Sequence, residues 1–178
     1  MKTAEKQQQI EKHIQALMDI LQIEKTDSTA DTPKRVAKML VDEICIGLDK
    51  TKFPAYKMFN LHEKLDPNNP IVVSNIKIFS ICEHHLLPFI GSATFKYVPN
   101  DKVIGLSKIP RIIDFLSRKP QLQERLTCEI FITFSKILNT DNISIELTCE
   151  HLCVKMRGAE DNCIMTTQKN GGCFKKMS

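Results

Sequence analysis

The chain has 178 residues, 42% of them apolar and 26% charged, and a formal net charge of +4. This is ordinary globular composition, enough for one well-buried core, with no apolar run long enough to span a bilayer and no leader of the signal-peptide kind. The basic excess is dispersed, and two Tyr without a Trp give few stacking platforms, so neither nucleic acid nor a membrane is the expected partner. Seven cysteines, an odd number without regular spacing, argue against a disulfide framework and for a reducing, cytoplasmic setting.

Residues 4–22 read as a helix, with Ile10, Ile14, Leu17 and Leu21 on one stripe. After a polar break, Thr32-Pro33 starts a second helix with Thr32 as N-cap. It carries Val36, Leu40 and Ile44 on its apolar side, Arg35 and Lys38 on another, and Gly47 as its stop. Residues 53–70 read as a linker loop rich in Pro, including Asp66-Pro67-Asn68-Asn69-Pro70. The chain therefore divides into a helical region over 1–52, that linker, and a domain over 71–178.

In the domain, Ile71 to Ile81 reads as a strand running into a turn at Cys82, and Ala93 to Val98 as its hairpin partner. Ser107 is a fair N-cap for a helix through Ile112, Ile113, Phe115 and Leu116, which Pro120 ends. A second helix buries Leu126, Ile130, Phe134, Ile137 and Leu138. Residues 143–148 alternate as a half-buried strand and residues 152–157 as another. The layout is α+β, an antiparallel sheet with two helices on one face, preceded by N-terminal helices.

Chemistry concentrates at Cys82-Glu83-His84-His85 and His151-Leu152-Cys153. Cys82 and His85, three apart in a turn, can face one metal ion, and Cys153 supplies a third donor. His84 and His151 then remain for acid–base work. If 152–157 is a strand, His151, Cys153, Lys155 and Arg157 share one face, while Leu152, Val154 and Met156 line the core. Three protein ligands leave the fourth position of zinc open, as in catalytic sites. Arg157 suits capture of phosphate oxygens. The residues alone thus reach a zinc hydrolase of an anionic substrate.

Four segments extend this reading: Cys82-Glu-His-His-Leu-Leu-Pro-Phe89, Gly105-Leu-Ser-Lys108 through Arg111, Gln121-Leu-Gln-Glu-Arg-Leu-Thr127 and His151-Leu-Cys-Val-Lys-Met-Arg-Gly158. In order and spacing they resemble the signature blocks of GTP cyclohydrolase I, and Thr32 to Met39 with Asp42-Glu-Ile44 resembles that family's helical N-terminal region. The resemblance implies the tunnelling fold and a homodecamer with active sites between subunits. It implies Zn2+ held by Cys82, His85 and Cys153, and His84 and His151 as catalytic histidines. Glu124, with Gln123 beside it, would clamp the guanine edge, and Ser107 would stand near the ribose. Lys108, Arg111 and Arg157 would cradle the triphosphate, and Arg35 and Lys38 would be lent to a neighbouring subunit's site. The implied reaction turns GTP into 7,8-dihydroneopterin triphosphate and formate, the entry step to folate or other pterins.

Two features depart from that family's pattern or add to it. Cys163 to Asn170 is less hydroxylated than the Thr/Ser-rich strand expected there, and Glu150 beside His151 would raise that histidine's pKa. Two other classes compete: a tunnelling-fold enzyme acting on a pterin, and a zinc-containing binding or structural relative without catalysis. Relatives of the first kind lack the three zinc ligands, all present here. Retention of His84, His151, Glu124 and the basic residues argues against the second.

Overall fold

The computed structural model describes residues 2–61, 66 and 69–176, so Pro67 and Asn68 of the loop reading lie outside the described residues. A long helix, α1 (Thr3–Ile20), packs on α2 (Thr32–Met39), which continues as one π turn over Leu40–Ile44. The Gln7 amide donates to both carboxylate oxygens of Asp42 at 2.9 Å, tying α1 to that turn. Met18 is the buried residue of α1, whereas Leu17 and Leu21 are exposed, so the apolar stripe runs Ile10, Ile14, Met18. Thr32 is the first helical residue and Asp31 the capping position, without a side-chain capping bond. A Cβ on Gly47 would collide with the Phe115 carbonyl, and the Gly47 N–H donates to the Arg118 carbonyl at 2.8 Å. Glycine there lets the helical region dock on the domain.

Within residues 53–70 the strand β1 (Met58–Asn60) pairs antiparallel with β4 (Lys102–Ile104). The main sheet has five strands in the order β5-β2-β3-β6-β7, from β2 (Ile71–Cys82), β3 (Pro88–Tyr97), β5 (Pro120–Gln121), β6 (Ile143–His151) and β7 (Ile164–Asn170). All neighbours are antiparallel except the two-residue β2–β5 pairing. Strand β3 starts five residues before the expected Ala93, because Phe89 through Tyr97 pair continuously with β6 from His151 to Ile143. Gly91 permits this close pairing, since a Cβ there would meet the Thr148 carbonyl.

Helices α3 (Lys108–Ser117) and α4 (Gln123–Leu138) cover one face of the sheet. Their Ile109, Ile112, Ile113, Leu126, Ile130 and Phe134 meet Ile78, Phe95, Tyr97, Ile145 and Leu147, all nearly solvent-free. The period-2 pattern of the strands and the 3.6-residue pattern of the helices thus meet on one interface. Asn139 ends α4 in the left-handed region at φ 50°, which Asn tolerates. Among the described residues no helix is long and apolar enough to cross a membrane.

The stretch after β6 is not a strand. Leu152–Lys155 forms one helical turn, α5, and Met156 is 62% exposed instead of lining the core. Strand pairing runs out at the Phe89–His151 register, and the chain turns there, with the Met156 N–H donating to the Leu152 carbonyl at 3.1 Å. The outer strand beside β6 is instead β7.

Candidate active site

The site lies where β2 and β6 end and α4 begins. Cys82 closes β2, and the chain reverses at once: the Cys82 N–H donates to the Leu87 carbonyl and the Leu86 N–H to the Cys82 carbonyl, both at 2.8 Å. Leu86 takes φ 54°, the left-handed conformation this reversal requires. The buried Cys82 Sγ then lies 3.8 Å from His84 Nδ1 and 4.0 Å from His85 Nδ1. Both imidazoles are exposed, and their rings meet edge to face at 6.1 Å.

The helical turn α5 has a positional consequence. It places buried Cys153 against the β2 turn, so that donor atoms of Cys82, His85 and Cys153 all lie within 4.8 Å of one another. His151, Cys153, Lys155 and Arg157 do not form one strand face; Lys155 bonds Glu150 at 2.7 Å, and Arg157 folds back so that its Nη1 donates to His85 Nε2 at 3.1 Å. Burial first, and then the neighbouring Cys82, push the Cys153 thiol up, while Arg157 pulls the other way. Two thiols this close resist ionising together without a cation between them. The set is chemically suited to a metal ion, and three donors leave a coordination position free.

His151 ends β6, half-buried, its ring stacked on Phe89 with centroids 4.8 Å apart and planes 14° from parallel. Its Nε2 lies 2.8 Å from Oε1 of Gln123, the first residue of α4, which is 1% exposed. Burial lowers the His151 pKa, partly offset by Glu124. The expected upward shift from Glu150 is absent because that carboxylate faces Lys155.

The remaining expected residues lie on the surface of the single chain. Glu124 is exposed on the first turn of α4, near enough to act electrostatically on His151. Ser107 occupies the N-cap position of α3 without a capping bond, Lys108 opens that helix, and Arg111 is exposed on it. Arg35 pairs with Asp31 at 3.6 Å, both 69% exposed, and Lys38 is exposed. The structure therefore brings together Cys82, His84, His85, Cys153 and Arg157, with His151 and Gln123 as a second group. Arg35 and Lys38 are exposed on α2, where Arg35 bonds Asp31 rather than a member of either group.

Four further residues belong to this neighbourhood. Arg125 bonds Glu83 of the β2 turn; Phe89 supports His151; Thr127 and Thr167 bond to Gln123. Phe89, Arg125 and Thr127 fall inside the motif segments, which was the only sequence signal for them. Thr167 lies on β7, 44 positions from Gln123, and no local pattern marks it.

A family profile described as GTP cyclohydrolase I matches residues 10–178. The GTP cyclohydrolase 1 of Tolumonas auensis is 46% identical over 173 residues, covering 96% of this chain and 79% of that protein. The enzymes of that name from Yersinia pestis and Vibrio cholerae are 44% identical over 168 residues and 41% identical over 174 residues, covering 93% and 97% of this chain and 76% and 79% of theirs. The α+β architecture with its helix-covered antiparallel sheet is consistent with the tunnelling fold of these enzymes. With a Cys-His-Cys donor set assembled from the first and last signature segments, the chain belongs to the GTP cyclohydrolase I family.

Proposed function

We propose that this protein converts GTP and water into 7,8-dihydroneopterin triphosphate and formate, using zinc held by Cys82, His85 and Cys153. The observation that carries the reading is the convergence of these three donors within 4.8 Å, with His84 alongside and outside the set. Zinc bound there supplies Lewis-acid activation of water near neutral pH.

The protein's own groups do the rest. His84 and His151 exchange protons with the purine ring as it opens and C8 departs as formate. Ser107 assists the ribose rearrangement that precedes reclosure. Glu124 accepts the guanine N–H groups, which rejects bases lacking those donors. Arg157, Lys108 and Arg111 hold the triphosphate. Arg35 and Lys38, exposed on α2, act in a neighbouring subunit's site, in a homodecamer whose ring forms through the sheet edges. Strand β7 is an edge strand of the sheet, and such an edge invites pairing with another copy. Seven free thiols fit a cytoplasmic setting.

The test is formate release and pterin fluorescence after oxidation, with GTP and zinc-loaded protein. Wild type should form both products, and His84→Ala and Cys153→Ala neither. A folded, zinc-loaded wild type that forms no product would overturn the reading in favour of a binding relative.

A further inference from the structure

Gln123 was expected beside the substrate, yet its side chain is fully engaged inside the protein. The two protons on its Nε2 face three acceptors, the Met165 carbonyl at 3.0 Å, Thr167 Oγ1 at 3.1 Å and the Leu147 carbonyl at 3.2 Å, so one proton is shared between two of them. Turning the amide over would aim its oxygen at two carbonyl oxygens, so Oε1 is fixed toward His151. The hydroxyls define the same direction. Thr127 Oγ1 spends its one proton on the Gln123 carbonyl at 2.8 Å, so the 2.7 Å contact between Thr127 and Thr167 is donated by Thr167. Thr167 Oγ1 is thereby left to accept from Gln123. The loop runs one way: Gln123 amide to Thr167, Thr167 to Thr127, Thr127 to the Gln123 backbone.

We propose that Gln123 is a positioning residue that locks His151 as the Nε2–H tautomer, so that Nδ1 is the nitrogen available to exchange protons with the substrate. A carbonyl oxygen at 2.8 Å only accepts, so Nε2 must keep its proton. Phe89 stacked on the ring blocks the other escape, rotation out of the plane. Thr127 and Thr167 hold Gln123 as Gln123 holds His151. This inference rests on the assignment of His151 as a proton carrier.

Solid-state 15N NMR of histidine-labelled protein, with His151 assigned through His151→Asn, reads the tautomer directly in the wild type. The Nε2–H signature is expected; an Nδ1–H signature would overturn the proposal. Gln123→Met should then give a mixture of tautomers and lower kcat about 10–100-fold, with KM for GTP held within about 3-fold. Thr167→Val should show a weaker form of the same change, and Thr167→Ser should restore wild-type behaviour. A raised KM with kcat intact would overturn the proposal by making Gln123 a substrate ligand. Failure of the proposed activity would appear separately, as an inactive wild type, while the NMR signature still decides the tautomer.

Discussion

The Glu83 carboxylate grips the Arg125 guanidinium with both oxygens, Oε2 on Nη1 and Oε1 on Nη2, each at 2.7 Å. This bidentate pair ties the Cys82–His85 turn to the first turns of α4, the helix that also supplies Gln123 and Glu124. A turn that carries two candidate metal donors gains a fixed orientation from it.

Arg125→Ala should therefore loosen the donor set without removing a donor. Metal affinity, measured by competition with a chromophoric chelator, should fall about 10-fold, with secondary structure unchanged by circular dichroism. The bonds to Arg125 hold the Glu83 carboxyl below its usual value of 4.5. The pair's contribution to stability is thus present above that value and fades as the pH falls through the depressed one. Urea midpoints of wild type and Arg125→Ala should converge on acidification.

Loss of a thiolate donor acts differently. Cys82→Ser or Cys153→Ser should abolish stoichiometric metal by elemental analysis and reduce pterin formation to background, and chelator treatment of the wild type should do the same, reversibly on re-addition of zinc.

The seven thiols should divide by environment. Burial pushes Cys149 up to about 12, so it stays protonated and inert toward iodoacetamide at pH 8 in the native protein. Cys163 is exposed and should be alkylated. Mass mapping after a short pulse checks this, and denaturant should bring Cys149 into reaction.

Phe134 is fully buried, its ring centroid 4.5 Å from that of Phe95. Phe134→Ala should cost about 3–5 kcal/mol of stability, measured by denaturant unfolding at fixed metal content. Its effect on kcat at low denaturant should be small, because the ring lies in the core and not at the donor cluster.

Strong periodicity made much of the fold legible. Ile76, Ile78 and Ile81 of residues 71–81, Ile143, Ile145 and Leu147 of residues 143–148, and Leu126, Ile130, Phe134 and Leu138 are core positions in the structure, whereas Val72 and Phe79 face outward. Residues 152–157 misled because alternation over six positions does not by itself make a strand; a strand needs a partner, and pairing with β3 stops at His151. In α1 the stripe shifted by one residue because the face that packs is set by α2, not by α1 alone.

The donor types and their pairing across the chain were fixed by the sequence itself, since Cys and His at these spacings have few other joint uses. Their convergence was decided by tertiary structure: the turn after Cys82 and the helical turn at Cys153 are brought together by strand registers 60 and more positions apart. The same holds for His151. Its identity is local, but its tautomer is set by Gln123 on α4 and Thr167 on β7, because a hydrogen bond is a relation between elements that only the folded sheet brings within reach.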